Sequence, residues 1–149
     1  MSVSSDSQTS AESAAVVLVD TSVAVAIVLA DHEAHRETLG AVAGTRLGLS
    51  GHAAFETYSV LTRLGPGARR SPATVQAIIE RDFPETRYLS TEQTGVILRE
   101  LADAGITGGS VYDALVGAAA RAAGLPLLSR ARRARPTYER LGVDIRYLG

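Results

Sequence analysis

Three carboxylates lie in stretches of the chain where a globular domain usually places apolar residues. Asp20 ends the apolar run of residues 16–19, Glu56 lies in an aromatic-rich helical segment, and Asp113 lies early in an almost wholly apolar one. Such acids are costly to ionise unless a cation or a hydrogen-bond network receives them. If the three converge, their repulsion raises at least one pKa, and a bound divalent metal reverses that penalty. The pattern predicts a site for Mg²⁺ or Mn²⁺ that activates water and stabilises charge on a phosphate.

Each acid taken alone also has a structural explanation. Asp20 would suit the end of a strand and the cap of the following helix, and Asp113 would suit the positive end of a helix dipole. Glu56 would serve equally as a solvent-facing helical acid. The hypothesis of a shared site therefore depends on all three acids meeting at one place.

The apolar pattern predicts an α/β fold in which strands and helices alternate. A continuous β-branched run such as 16–19 is typical of a parallel strand buried on both faces. We predict strands over 16–19, 47–50, 87–89, 125–128 and 144–148. We predict helices over 21–30, 31–44, 51–64, 72–83, 91–104, 110–123 and 133–141. This alternation favours an α/β/α sandwich with a mostly parallel central sheet of four or five strands. Asp20 would then lie at the carboxyl edge of that sheet, where ligand sites form.

Composition narrows the class of protein and the chemistry. The chain has 149 residues, 46% of them hydrophobic, with a formal net charge of −1, which fits one domain. It has no cysteine, which excludes disulfides and thiolate chemistry, and all 15 basic residues are Arg. Without lysine, Schiff-base and P-loop mechanisms are excluded. A receiver domain would also need a lysine, and a dehalogenase-type phosphatase or a dinucleotide-binding domain would need motifs that are missing.

The N-terminal segment differs from the rest of the chain. Residues 1–14 are rich in Ser, Thr and Ala and are predicted to form a flexible tail ahead of one domain over residues 15–149. They lack the basic start and apolar stretch of a signal peptide. No apolar run reaches the roughly 18 residues of a membrane span. We therefore expect a cytoplasmic bacterial protein that does not interact with membranes.

Four motifs in order resemble those of the PIN-domain ribonucleases, specifically the VapC-type toxins of VapBC toxin–antitoxin pairs. The resemblance covers residues 15–149. The motifs are Val17-Leu18-Val19-Asp20-Thr21-Ser22, then His52-Ala53-Ala54-Phe55-Glu56-Thr57 with Leu61-Thr62-Arg63-Leu64, then Tyr112-Asp113-Ala114-Leu115-Val116, and a C-terminal segment that starts with Leu127-Leu128-Ser129-Arg130. That last segment continues through Pro136-Thr137-Tyr138 and Leu141-Gly142-Val143.

The resemblance implies a PIN-like fold and a Mg²⁺- or Mn²⁺-dependent endoribonuclease that cuts tRNA, rRNA or mRNA. Asp20 and Asp113 would be the main metal ligands, and Glu56 would bind the metal through water or orient the attacking water. Thr21 or Ser22 would hold a ligand or phosphate through its hydroxyl. A VapB-type antitoxin would be the protein partner. We also expect a homodimer, for which the apolar helix around residues 96–101 offers a surface, although the same residues would suit an ordinary core.

Ala131 departs from the pattern of the family it resembles, whose members usually carry an aspartate there. Two explanations remain open: natural drift to a weaker nuclease, or a deliberate inactivating substitution. The encoding gene would decide between them. The alternative function is a catalytically dead PIN-like protein that binds RNA or an antitoxin without cutting.

A basic cluster adjoins this position. The cluster consists of Arg130, Arg132, Arg133 and Arg135. We expect the first three of these arginines, together with Ser129, to contact the substrate. An arginine guanidinium offers paired donors to phosphate oxygens. A solvated start of a helix would explain the same arginines equally well. His32 and His35 are three residues apart, but no third metal ligand is evident.

Overall fold

The structure is a computed structural model that describes residues 14–149, so the predicted tail lies outside the described residues except for Ala14. The strands are β1 (Val16–Val19), β2 (Arg46–Leu49), β3 (Leu127–Ser129) and β4 (Ile145–Tyr147). The helices are α1 (Thr21–Val28), α2 (His35–Val42), α3 (Ala53–Thr62), α4 (Pro72–Asp82), α5 (Thr91–Ala104), α6 (Ser110–Ala123) and α7 (Arg135–Arg140), with a 3₁₀ turn over Arg132–Ala134. Within residues 14–149, no helix has the length and apolarity to cross a membrane.

The four strands form one parallel sheet in the order β2-β1-β3-β4. Val19 at the end of β1 lies between Leu49 of β2 and Leu128 of β3. The chain leaves β1 toward β2 on one side and later returns to β3 on the other, so the strand order reverses beside β1. Ligand sites in parallel α/β sheets form at this reversal, outside the carboxyl ends of the strands. Asp20 follows β1 directly and therefore occupies that position.

Alternating side chains of the sheet build a core on each face. Leu18 and Leu127 pack with residues of α5, α6 and α7, whereas Val17, Val19 and Leu128 pack with residues of α1 and α2. A strand buried on both faces must be apolar throughout, which accounts for the uninterrupted run in β1. The predicted α/β/α sandwich with a four-stranded parallel sheet is confirmed.

The prediction of a strand over 87–89 is wrong. That segment makes a single bridge, between Ser50 and Arg87, along the free edge of β2. The chain then turns at once into α5, because the Ser90 and Gln93 side chains form a capping box at the start of that helix. Gly48 of β2 permits the close approach, since an added Cβ would lie 2.1 Å from the Glu85 carbonyl oxygen.

The apolar residues of α5 are divided between core and surface. Ile97 and Leu101 are buried in the core, while Val96 and Leu98 are exposed. The core interpretation of this helix is therefore confirmed for its inner face. The expected homodimer remains a prediction.

Candidate functional site

Asp20 is the most completely hydrogen-bonded side chain at the carboxyl edge of the sheet. It is 4% exposed, and each of its carboxylate oxygens accepts two hydrogen bonds. Oδ1 accepts from the Ser22 hydroxyl at 2.5 Å and from the Val23 amide at 3.3 Å. Oδ2 accepts from the Ser129 hydroxyl at 2.5 Å and from the Tyr138 hydroxyl at 3.1 Å. These donors come from α1, β3 and α7, so the tertiary fold fixes the orientation of the carboxylate.

Burial raises the pKa values of two hydrogen-bonded groups, the Asp20 carboxyl and the Tyr138 hydroxyl. Loss of hydration raises the pKa of the Asp20 carboxyl, and the hydrogen bonds from Ser129, Ser22, Val23 and Tyr138 partly offset that rise. Burial and the adjacent Asp20 carboxyl also raise the pKa of Tyr138, so its hydroxyl stays protonated and donates. Burial therefore makes ionisation of Asp20 costly, while its four hydrogen-bond donors favour the ionised form.

Glu56 and Asp113 line a pocket of about 320 Å³ at the surface, together with His52, Gly109, Tyr112 and Arg133. The Arg133 Nη1 atom lies 3.0 Å from the Asp113 Oδ2 atom. The Asp113 side chain is 14% exposed whereas that of Arg133 is 75% exposed. The ion pair therefore lies at the mouth of the pocket, and Arg133 can move into solvent at little cost. We call this cavity the acidic pocket.

The pKa of Glu56 is raised, and both of the other predicted site acids contribute to the rise. Partial burial is the largest cause of its raised pKa, and the negative charges of Asp113 and Asp20 raise it further. His52, whose Nε2 atom lies 3.9 Å from Oε1, and Arg133 lower it in part. A carboxylate whose pKa is raised by other carboxylates is in a place that favours a cation.

The fit of a divalent metal to this site rests on donor chemistry. The acids offer oxygen ligands, which Mg²⁺ and Mn²⁺ prefer. Within residues 14–149, no three His, Cys, Asp or Glu side chains are grouped closely enough to form a ready three-ligand site. Mg²⁺ commonly keeps several waters and uses one or two carboxylates, so fewer protein ligands suffice. The Thr21 hydroxyl, next to Asp20, is buried with no hydrogen-bond partner in the described part of the chain and adds an unused polar group.

The basic cluster divides into two groups in the structure. Arg133 is at the acidic pocket, whereas Arg132 donates to the Gly149 carbonyl oxygen at 3.0 Å. Arg130 has a different acidic neighbour, with its Nη1 atom 3.6 Å from Glu37 Oε1. Arg133 is thus the member of the cluster that is in contact with a predicted site acid.

Two predicted substrate contacts use their hydroxyls inside the protein. Ser129 is fully buried, and its hydroxyl donates to Asp20 and accepts from the Ala131 amide at 2.9 Å. The Ser22 hydroxyl accepts from the Arg130 amide at 2.8 Å while donating to Asp20. Both hydroxyls therefore hold the loop after β3 against Asp20. Ala131 lies in this loop, half-buried, immediately before the 3₁₀ turn.

Sequence reasoning missed two features of the site. Tyr138 lies 118 positions from Asp20 in the chain, and no local pattern indicates that its hydroxyl reaches the carboxylate. His52, which precedes α3, makes no side-chain cap and packs on Tyr112, with ring centroids 5.1 Å apart. The exposed aromatic residues beside both acid motifs were a signal that could have suggested this contact.

The fold and the acidic edge of the sheet define a PIN domain, and the family model for the PIN domain matches residues 17–139. Two proteins of Mycobacterium tuberculosis are similar over most of the chain. Ribonuclease VapC27 of strain ATCC 25618 / H37Rv is 42% identical over 127 residues, which span 85% of this chain and 93% of that protein. Ribonuclease VapC40 of strain CDC 1551 / Oshkosh is 44% identical over 128 residues, which span 85% of this chain and 94% of that protein.

A solved structure has the same fold at low sequence identity. It is the crystal structure of VapBC2 from Rickettsia felis bound to a DNA fragment from its promoter, with a TM-score of 0.63 and 15% identity. The match covers 90% of this chain and 99% of that one. The chain belongs to the PIN-domain family and is a VapC-type member of it.

Proposed function

We propose that this protein is a metal-dependent endoribonuclease, the toxin of a toxin–antitoxin pair whose partner is a VapB-type antitoxin. The observations that carry the proposal are that Asp20 follows β1 at the strand reversal of a PIN domain and that Glu56 and Asp113 line one pocket. Burial raises the pKa of Glu56, and the charges of Asp113 and Asp20 add to the rise, which supports a common site for the three acids. The names of the similar mycobacterial proteins support ribonuclease as the activity.

The proposed roles follow from the surroundings of each side chain. Asp20 and Asp113 would hold Mg²⁺ or Mn²⁺, with Glu56 bound through water. When bound, such an ion would activate water and stabilise charge on the phosphate. Once ionised above its raised pKa, Glu56 is able to accept a proton from the attacking water. Because Arg133 is at the mouth of the pocket, its guanidinium is available for a phosphate oxygen of the RNA.

Three hydroxyls position Asp20. Ser129 and Tyr138 both donate to Oδ2, which leaves the carboxylate one orientation instead of the several that an exposed aspartate adopts. Ser22 performs the same role at Oδ1. We therefore assign Ser22 and Ser129 to positioning, and we retain Thr21 as a hydroxyl available for a ligand.

A second candidate function is binding of RNA or of an antitoxin without cleavage. Ala131 favours it, because the loop after β3 provides no fourth carboxylate where the family usually has one. The Arg133–Asp113 ion pair favours it too, since a cation of the chain already contacts one of the acids.

Cleavage of total cellular RNA in the presence of Mg²⁺ or Mn²⁺ discriminates between the two functions. The proteins to compare are this chain, Ala131→Asp and Asp20→Asn, each with and without a chelator. We expect cleavage that the chelator abolishes, that Ala131→Asp increases and that Asp20→Asn removes. If neither this chain nor Ala131→Asp cuts any RNA, the nuclease proposal fails and the binding function replaces it. Calorimetric titration with Mn²⁺ on Asp20→Asn tests the metal site separately.

A further inference from the structure

The exposed aromatic side chains of this protein gather on one surface. The chain has two Phe and five Tyr, and four of these seven are exposed: Phe55, Tyr58, Tyr88 and Tyr112. The other three are buried or half-buried. Apolar side chains scattered singly over a surface are ordinary, whereas a contiguous group indicates an interaction site. This group of rings therefore indicates a binding site for a ligand that stacks on aromatic side chains.

The rings form a continuous line across the helix α3. Tyr112 stacks on His52 with centroids 5.1 Å apart and planes 23° apart. His52 lies 6.3 Å from the Phe55 ring, and Phe55 lies 6.1 Å from the Tyr88 ring. We call these four side chains the aromatic line. Phe55 and Tyr88 are 63% and 59% exposed, so most of their ring surface is open to a ligand.

The aromatic line begins at the acidic pocket. Tyr112 and His52 line that pocket with Glu56, Asp113 and Arg133. His52 is shared with a second cavity of about 210 Å³, which Phe55 and Tyr88 also line. A flexible chain bound at the acids therefore passes directly onto the aromatic faces.

We propose that the aromatic line binds the unpaired bases of a single-stranded RNA segment next to the phosphate at the acidic pocket, an inference that rests on the proposed nuclease function. Nucleobases stack on aromatic rings whatever their identity, because each base has a π face. Arg133, 75% exposed, supplies a cation for the phosphates between the bases. The aromatic line shares His52 and Tyr112 with the acidic pocket, so the RNA strand that the proposed nuclease holds there is the ligand nearest to these rings.

Two properties of the bound RNA follow. Recognition by stacking tolerates different sequences, so base identity at these positions affects affinity little. The RNA must be unpaired there, because a base inside a helix does not present its faces. A duplex, or a strand that lacks bases, is expected to lose the contribution of the aromatic line while keeping its phosphate contacts.

The experiment measures equilibrium binding by fluorescence anisotropy, with a chelator present so that no RNA is cut. The probes are a labelled single-stranded oligoribonucleotide, the same strand with abasic riboses, and its duplex. We expect the abasic strand to bind the unmodified protein more weakly. We expect Phe55→Ala and Tyr112→Ala each to weaken binding of the normal strand by between about 5-fold and about 150-fold. Phe55→Trp retains the affinity, and Leu98→Ala, an exposed apolar change on α5, leaves it unchanged.

Several outcomes overturn the proposal. One is equal affinity for normal and abasic strands, a test that uses the unmodified protein and so does not depend on the folding of a variant. Another is unchanged RNA affinity in Phe55→Ala combined with weaker self-association in sedimentation, which would assign the surface to a protein interface. The nuclease proposal has a separate test. If the protein binds bases but does not cleave RNA, the nuclease proposal fails while the proposed stacking site stands.

Discussion

Removing the Tyr138 hydroxyl is expected to destabilise the protein by an amount that depends on the charge of Asp20. The side chain of Tyr138 is 1% exposed, and its hydroxyl donates to Asp20 Oδ2 at 3.1 Å. A hydrogen bond to a charged group stabilises by about 1.5–3 kcal/mol, and a bond between neutral groups by about 0.5–1.5 kcal/mol. Since Ser129 still donates to the same oxygen, we expect Tyr138→Phe to lower the free energy of unfolding by about 1.5–2 kcal/mol while Asp20 is ionised.

The pH dependence has a definite sign. Burial raises the folded-state pKa of Asp20 above its usual value of 3.8, so the folded protein binds this proton more tightly than the unfolded chain does. The contribution of Asp20 to stability is therefore present below that usual value and is lost as the pH rises through the folded pKa. Because the Tyr138 hydrogen bond lowers the pKa of Asp20, Tyr138→Phe raises that pKa further. The difference in stability between wild type and variant thus widens as the pH rises through the folded pKa.

Urea unfolding of both proteins, near neutral pH and again near pH 3.8, measures this difference. Tyr147→Phe is the matched control, because the Tyr147 hydroxyl is buried with no hydrogen-bond partner among residues 14–149. Removing an unpaired buried hydroxyl costs nothing and can stabilise. The reasoning is refuted if the two variants lose the same stability, or if the loss in Tyr138→Phe does not change with pH.

Three further expectations concern packing, RNA contact and pH. Gly117→Ala should lower the free energy of unfolding by about 1 kcal/mol, because an added Cβ would lie 2.9 Å from the Val143 side chain and 3.0 Å from that of Tyr138. Gly95→Ala, where nothing lies within 4 Å of an added Cβ, should raise it by about 0.5–1 kcal/mol. Urea unfolding measures both changes. Arg133→Gln should reduce the slope of log affinity against log salt concentration for single-stranded RNA by about 0.7. Arg146→Gln on β4 is the control and should leave that slope unchanged. If the two variants have equal slopes, Arg133 does not contact a phosphate. Burial raises the pKa of Glu56 above its usual value of 4.5. The rate of RNA cleavage should therefore increase as the pH rises through that pKa, and this increase should be absent in Glu56→Gln.

Much of the architecture was accessible from the sequence because it depends on local pattern. The β-branched run before Asp20 has the character of a strand buried on both faces, and the helix starts at Ser71 and Ser90 carry capping signals that the structure contains. The segment 87–89 does not form the predicted strand, although its residues suit one, because the helix cap at Ser90 follows after a single bridge. Local propensity does not report how much of a neighbouring edge is free for pairing.

The sequence by itself determined which acids are available, and placed Asp20 at the carboxyl edge of a parallel sheet. Only the tertiary structure decided which groups surround those acids. Ser129 and Tyr138 reach Asp20 across 109 and 118 positions of the chain, and Arg133 contacts Asp113 while its neighbour Arg132 contacts the C-terminal Gly149. The physical reason is that periodicity fixes the face of an element on which a side chain lies. The partner that it meets depends on how the elements pack against one another.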